Sequence, residues 1–219
     1  MAREHVSNEH PVSLSVIRRL PRYYRFLGEL AKTGCTRISS RELSEKMGLT
    51  ASQIRQDLNC FGGFGQQGYG YNVLALQEEI SKILGLNQKL NAILIGVGNL
   101  GQAIVTHMDF EARGFNLVAL FDNSRDIIGS SINHHVVKDI KHLSSFCEKH
   151  KPTVAILFIP KEAAKELSER LIELGIRGFW NFSHYDLALN HKGIVVENVH
   201  LGDSLMTLTY MVNRELKKE

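Results

Sequence analysis

Cysteine is scarce in this chain. Three residues in 219, Cys35, Cys60 and Cys147, are odd in number and far apart, so reduced, buried thiols are expected rather than a disulfide framework. There are four prolines and one tryptophan, and no proline-rich or low-complexity stretch. No run of about 18 apolar residues occurs, and the start, MAREHVSNEHPVS, has no apolar secretion core, so neither a membrane span nor export is expected and a cytoplasmic protein follows. Net charge is also small: 26 Lys plus Arg against 23 Asp plus Glu gives +3, too little for a protein that coats nucleic acid over its whole surface. There is no Walker-type phosphate loop and no Tyr-x-x-x-Lys pair. The cluster His134, His135, His142, Cys147 and His150 matches no zinc spacing and, with its lysine neighbours, reads as solvated surface, so no metal is expected.

What remains is an ordinary globular composition, 43% hydrophobic and 22% charged, enough for one or two domains. Its charge is uneven. Residues 1 to 72 hold ten Lys or Arg against six Asp or Glu, whereas the rest hold sixteen against seventeen, so the positive excess sits in the first third.

That third has the pattern of a DNA-binding module. Leu14, Ile17, Leu20, Tyr24, Leu27 and Ala31 recur at helical spacing, with Pro21 as a start or kink, Arg18, Arg19, Arg22 and Arg25 on the outside and Gly34 as the stop. Two capping boxes follow, Ser39 with Glu42 and Thr50 with Gln53, and they predict two short helices joined at Gly48. Leu43 and Met47 on the first face Ile54, Leu58 and Phe61 on the second, which is helix-turn-helix spacing. The opposite face of the second helix offers Ser52, Gln53, Arg55, Gln56 and Asn59 to base edges or phosphates. In GGFGQQGYG, residues 62 to 70, five glycines interleave with Phe64, Tyr69 and the pair Gln66 and Gln67, and Tyr71 follows. A hairpin wing is expected there, with Gln66, Gln67, Gly68 and Tyr69 against DNA.

The remainder has the pattern of a dinucleotide-binding domain. A connecting helix over about Val73 to Leu84 leads to the apolar run NAILI and then to Gly96-Val97-Gly98-Asn99-Leu100-Gly101, a Gly-x-Gly-x-x-Gly between a strand pattern and a helix carrying Leu100, Ala103 and Ile104. Gly96 suits the tight turn, Gly98 the approach of a pyrophosphate and Gly101 helix-strand packing, with the helix N-terminus opposing phosphate charge. The next strand, FNLVALF, ends at Asp122, 21 residues beyond Gly101, where a carboxylate would bind the adenosine ribose and favour NAD(H) over NADP(H). A further unit follows: TVAILFIP, a helix on Ala163, Ala164, Leu167, Leu171 and Leu174 capped by Gly175, then IRGFWNF. Its strand ends place Ile159, Pro160, Asn181 and Phe182 towards a nicotinamide. After a strand near GIVVENV, a last helix from about Leu201 to Lys217 carries an apolar stripe through Leu205, Leu208, Met211, Val212 and Leu216 that needs a partner, in its own domain or another subunit. The expected architecture is α/β: a winged helix-turn-helix domain over 1–85, a Rossmann-type doubly wound parallel sheet over 86–199 and a dimerisation helix over 200–219.

Only about 37 residues follow Phe182, too few for the second domain of most nicotinamide dehydrogenases, so no catalytic residue is assigned and the coenzyme reads as a signal. The main rival is an NAD-dependent oxidoreductase or CoA-binding enzyme domain with an accessory helical hairpin, and a second is a DNA-organising protein with a nonsensing Rossmann domain.

RLPRYYRFL, QIRQDLNCFGGFGQQGYGY, ILIGVGNLG, the FD at 121–122 and VENV at 196–199 together resemble the Rex family of redox-sensing transcriptional repressors, from about Ile17 to Met211. The resemblance implies a homodimer on double-stranded, inverted-repeat operator DNA, released by NADH with NAD⁺ as competitor, a C-terminal helix exchanged between subunits, and control of fermentation and anaerobic respiration genes. It further implies a switch in which Arg25 works with an acidic residue after VENV and a tyrosine in the first Rossmann helix. Here those places hold His200 and His107, Asp203 stands three residues on, and Leu201 replaces the usual aromatic. Gln56, Gln66 and Gln67 stand where basic residues are common, which lowers the expected salt slope.

Overall fold

The computed structural model describes residues 12–62, 64 and 69–218. The chain forms two compact units, Met1–Asn87 and Gln88–Glu219.

In the first unit, Pro21 in the first turn of α2 (Leu20–Lys32) separates it from a single turn, α1 (Leu14–Ile17), so the expected long helix is two. The buried stripe of α2 is Leu20, Tyr23 and Leu27, with Tyr24 only partly covered and Leu14 exposed. After β1 (Arg37–Ile38), the Ser39–Glu42 box forms as expected: Ser39 Oγ accepts from the Glu42 amide while the Glu42 carboxylate accepts from the Ser39 amide. It opens α3 (Ser40–Met47), which ends at Gly48 in the left-handed region. Thr50 caps α4 (Ala51–Asn59) through the Gln53 amide, but the Gln53 side chain turns to Asp57, so this box is only half closed. Leu43, Met47, Ile54 and Leu58 are buried together, as the helix-turn-helix reading requires. β2 (Tyr71–Asn72) pairs antiparallel with β1, and α5 (Val73–Ile83), capped by Asn72, packs against α2. Gly70 passes so close to β1 that a Cβ would lie 2.7 Å from the Ile38 carbonyl oxygen. Gln66, Gln67 and Gly68, at the tip of the expected wing, fall outside the described residues.

The second unit is built on β3 (Leu90–Ile95), α6 (Asn99–His107), β4 (Phe115–Asp122), β5 (Ser131–Ile132), β6 (His135–Asp139), α7 (Leu143–His150), β7 (Val154–Leu157), α8 (Lys161–Glu173), β8 (Gly178–Asn181), α9 (Leu187–Asn190), β9 (Val195–Asn198) and α10 (Leu201–Leu216). The sheet order is β5-β6-β4-β3-β7-β8-β9, parallel except for β5. Counting only the parallel strands, this is the doubly wound order 3-2-1-4-5-6, whose direction reverses between β3 and β7. Strand alternation makes two cores: Ile93, Ile95, Phe121 and Leu157 pack with Leu143, Cys147 and Leu171, whereas Ala92, Leu94, Leu120 and Ile156 pack with Val105 on the other face.

Three expectations change. The segment 131–150 is not simply solvated surface: it is a hairpin turning at Asn133 and His134 followed by α7, whose Cys147 is core and whose thiol is pushed up in pKa by burial. Cys147 is the one buried thiol among the described cysteines, for Cys35 is half-buried and Cys60 exposed. The buried face of α6 runs through Gly101 and Val105, with Ile104 partly buried against the same core and Leu100 and Ala103 exposed, because the helix starts at the Gly98 cap with Gly101 set against the Gly96 turn. Among the described residues no helix is long and apolar enough to cross a membrane, and no group of three or more His, Cys, Asp or Glu could hold a metal ion.

Candidate nucleotide and nucleic-acid sites

α4 is anchored from below by one buried carboxylate. Asp57 is fully buried and accepts from Arg19 Nε and Nη2, both at 2.7 Å, from the Tyr23 hydroxyl at 2.9 Å and from Gln53 Nε2 at 2.8 Å. Burial alone would raise its pKa; the hydrogen bonds from Arg19, Gln53 and Tyr23 outweigh that and hold the carboxyl below its ordinary value. In turn, burial and then the bond to Asp57 push the Tyr23 hydroxyl well up, and the same carboxylate raises Arg19. Arg22 donates to the Met47 carbonyl, the last of α3. Two arginines read from sequence as outward decoration therefore fix the helix pair, while Arg25 is exposed on α2.

With Asp57 pointing inward, the outward face of α4 is determined. Ser52, Arg55, Gln56 and Asn59, all exposed, line one open hollow together with Cys60, which sequence reasoning did not place there. Arg55 is steadied by a 3.0 Å bond to Ser40 Oγ in the first turn of α3. Gln53 stands apart from this set, since its amide is donated to Asp57. Tyr69 is exposed, and its carbonyl accepts from Arg37 at 3.3 Å.

In the second unit, the crevice lies outside the carboxyl ends of β3, β4, β7 and β8. Gly96 has φ +96°, and a Cβ there would meet the Phe158 carbonyl oxygen at 2.4 Å; a Cβ on Gly101 would meet the Gly96 carbonyl oxygen at 2.3 Å. Gly98, the cap of α6, has nothing within 4 Å of where its Cβ would stand, so the free amides at the helix start open onto empty space. The three glycines thus meet three different demands: turn, open approach and packing.

Asp122, at the end of β4, accepts from the Val97 amide at 2.6 Å and the Ser124 amide at 2.8 Å, which aims its carboxylate across the glycine turn and leaves lone pairs for a further donor. It borders a cavity of about 350 Å³ lined also by Asn123, Ile140, Ile159, Pro160, Ala163, Glu166, Leu167 and Arg170. Of these the sequence pattern marks only Asp122, Ile159 and Pro160 as ligand-facing and assigns Ala163 and Leu167 to the core stripe of α8; the one signal it carries for the others is the place of Ala163 in the first turn of a helix leaving a strand end. A second hollow is lined by Gly98, Asn99, Leu100, Gly101, Phe158, Ile159 and Phe182, with Phe182 packed 4.3 Å from Phe158 and 4.7 Å from Trp180. Pro160 therefore faces the Asp122 cavity rather than the hollow of Phe182, and Ile159 touches both. Val97 is buried beneath the turn and contributes its amide.

Asn181 differs from expectation. It is fully buried, and all four hydrogen-bonding positions of its amide are satisfied within the protein: Nδ2 donates to the Tyr185 carbonyl and Asn198 Oδ1, and Oδ1 accepts from the Ser183 amide and hydroxyl. No capacity is left for a ligand. Of the remaining candidates, His107 is exposed at the end of α6, Leu201 and Asp203 are exposed in the first turn of α10, and His200 caps that helix. His200 stacks on His184, ring centroids 5.1 Å apart, with its Nδ1 buried and unpartnered.

α10 buries none of its residues; eight large apolar side chains along it are 47 to 68% exposed. Such a face on one element is an interaction surface by default.

Comparison with known proteins agrees with this geometry. A family model described as "Putative DNA-binding protein N-terminus" matches residues 11–59, and one described as "CoA binding domain" matches residues 87–185. The chain is 53% identical over 210 residues to a redox-sensing transcriptional repressor Rex of Thermoanaerobacter pseudethanolicus, covering 96% of this chain and 93% of that one. It is 52% identical over 203 residues to that of Clostridium botulinum strain Hall, covering 93% and 96%. Among solved structures it is similar to RSP, a Rex-family repressor, in complex with β-NAD⁺ and operator DNA, with TM-score 0.87, 52% identity and coverage of 95% and 96% of the two chains. The same repressor with β-NADH gives TM-score 0.85 at 50% identity, covering 94% and 98%. With whole-length repressors matched at such identity, the enzyme reading falls away, and the chain belongs to the Rex family of redox-sensing transcriptional repressors.

Proposed function

We propose that this protein represses transcription in the cytoplasm as a homodimer on inverted-repeat operator DNA and lets go when NADH binds, so that the NADH/NAD⁺ ratio is read out on genes of fermentation and anaerobic respiration. One observation carries the reading: an exposed, polar recognition face on α4 and an open glycine-lined crevice lie on one chain, and the structurally similar repressor occurs in complexes with operator DNA, NAD⁺ and NADH. Ser52, Arg55, Gln56 and Asn59 read the groove, with Gln53 and the wing residues Gln66, Gln67, Gly68 and Tyr69 beside them.

In the crevice, the amides of Gly98 to Gly101 at the start of α6 hold the pyrophosphate and Asp122 accepts from the adenosine ribose, where its charge repels a 2′-phosphate. The cavity beside Pro160 takes the adenine end and the hollow beside Phe182 the nicotinamide. Phe158, Ile159 and Phe182 give that hollow one apolar wall, with Trp180 packed edge-on against Phe182, and beside such a wall the neutral reduced ring is favoured over the cationic oxidised one, whose desolvation costs more.

The bare face of α10 is covered by the second subunit, and Arg25, His107, His200, Leu201 and Asp203 serve the switch. NADH lowers operator affinity only by favouring the arrangement that fits DNA less well; a 100-fold loss requires a coupling of about 2.7 kcal/mol. Fluorescence anisotropy of a labelled AT-rich palindrome tests the proposal: NADH raises the operator Kd, NAD⁺ opposes it and NADPH has little effect. Equal operator affinity with and without saturating NADH refutes it.

A further inference from the structure

We infer that Asn181 and Asn198 are a positioning pair that carries occupancy of the hollow beside Phe182 to the root of α10. The inference rests on the coenzyme-linked release proposed above and names residues through which it acts.

Asn181 closes β8 and sits opposite Asn198 in the β8–β9 register. Its orientation is dictated by backbone on both sides: the Tyr185 carbonyl requires a donor at 2.9 Å and the Ser183 amide an acceptor at 3.1 Å, so the amide cannot flip. The remaining donor reaches Asn198 Oδ1 at 2.8 Å, and the Asn181 carbonyl accepts from the Val199 amide at 2.9 Å.

Between these fixed points runs the short turn 182–185. One end is Phe182, in the hollow against Phe158 and Trp180. Further along, His184 stacks face to face on His200, at 8° between ring planes, and His200 caps α10. The turn therefore touches the coenzyme hollow at one residue and the α10 root at another, with Asn181 as the pivot. Asn181 is fully buried with all four hydrogen-bonding positions of its amide satisfied, so it has no slack with which to absorb a displacement and passes it to Asn198, which is exposed at the end of β9. A ring that moves Phe182 shifts Asn198 through the amide bond and His200 through the stack. Neither asparagine touches the ligand in this scheme; both act through Phe182 and α10.

The test uses the full-length protein and three variants. Asn198→Ala removes the acceptor but leaves Asn181 bonded to Tyr185, Asn198→Asp restores an acceptor oxygen in the same place, and His184→Ala removes the second route. Operator Kd is measured with and without saturating NADH, and NADH affinity is followed by quenching of Trp180, the only tryptophan. Asn198→Ala keeps coenzyme-free operator affinity and NADH affinity within about threefold, while the ratio of operator Kd with NADH to that without falls about tenfold. Asn198→Asp returns the ratio towards wild type, and His184→Ala lowers it. A wild-type ratio in Asn198→Ala, or equal loss in the Ala and Asp variants, overturns the pair. If Asn198→Ala does not fold, an unchanged ratio in His184→Ala overturns the scheme and a lowered one supports it. A wild-type protein without any NADH response overturns the functional proposal itself, a result distinct from responsive wild type with unaffected variants.

Discussion

Replacing Arg19 by Met should cost the DNA-binding unit far more than an arginine near the surface would suggest. The guanidinium makes two 2.7 Å bonds to a carboxylate with no exposed surface, while its own side chain is 29% exposed. Removing it leaves Asp57 charged and buried, with only Tyr23 and Gln53 to stabilise it. Breaking a buried pair from one side costs about 3–5 kcal/mol, and the partial exposure of Arg19 lets water into the gap, so about 3 kcal/mol is expected. For a unit of this size that is a fall of roughly 12 °C or more in Tm. The double variant Arg19→Met/Asp57→Leu should recover much of the loss, because it removes the stranded charge along with its partner. Because the folded carboxyl titrates below its unfolded value of about 3.9, its contribution is complete above that pH and disappears as pH falls through the folded value. Urea unfolding followed by far-ultraviolet circular dichroism, at pH 7 and down to pH 3, measures both effects. An Arg19→Met loss below about 1 kcal/mol at pH 7 would place the pair with ordinary surface salt bridges and refute the reasoning.

Gly98→Leu should fold normally, since nothing lies within 4 Å of the new Cβ, keep operator binding and lose NADH-dependent release; normal release in gel shift would show the glycine turn to be misread. Arg55→Ala should weaken operator binding by about 1–3 kcal/mol while leaving NADH affinity intact, and an unchanged operator Kd would remove Arg55 from the interface. Leu208→Glu places a charge on the uncovered face of α10 and should shift the protein towards monomer in sedimentation velocity; an unaltered dimer would assign the interface elsewhere.

Much of this molecule was legible because its demands are local. The Ser39–Glu42 box, the turn at Gly48 and the glycine fingerprint each need particular residues within a few positions, and each forms where spacing places it. The Arg19–Asp57 pair was not legible, for it joins residues 38 apart and depends on how α2 packs on α4. The same packing draws Gln53 away from its expected box. The hairpin and helix over 131–150 are not legible in the sequence because two short strands turning at Asn133 and His134 leave no apolar run, and the histidines around Cys147 disguise a core position. Asn181 shows the limit at the site: a strand-end position marks proximity to a ligand, but only its four partners reveal that the amide is spent on the fold.

The central claim is a reciprocal coupling between coenzyme and DNA, and NADH affinity measured on free protein and on protein saturated with operator tests it most directly. Operator should weaken NADH binding by the same factor by which NADH weakens operator binding. An NADH affinity that does not change when the operator is bound would contradict the account.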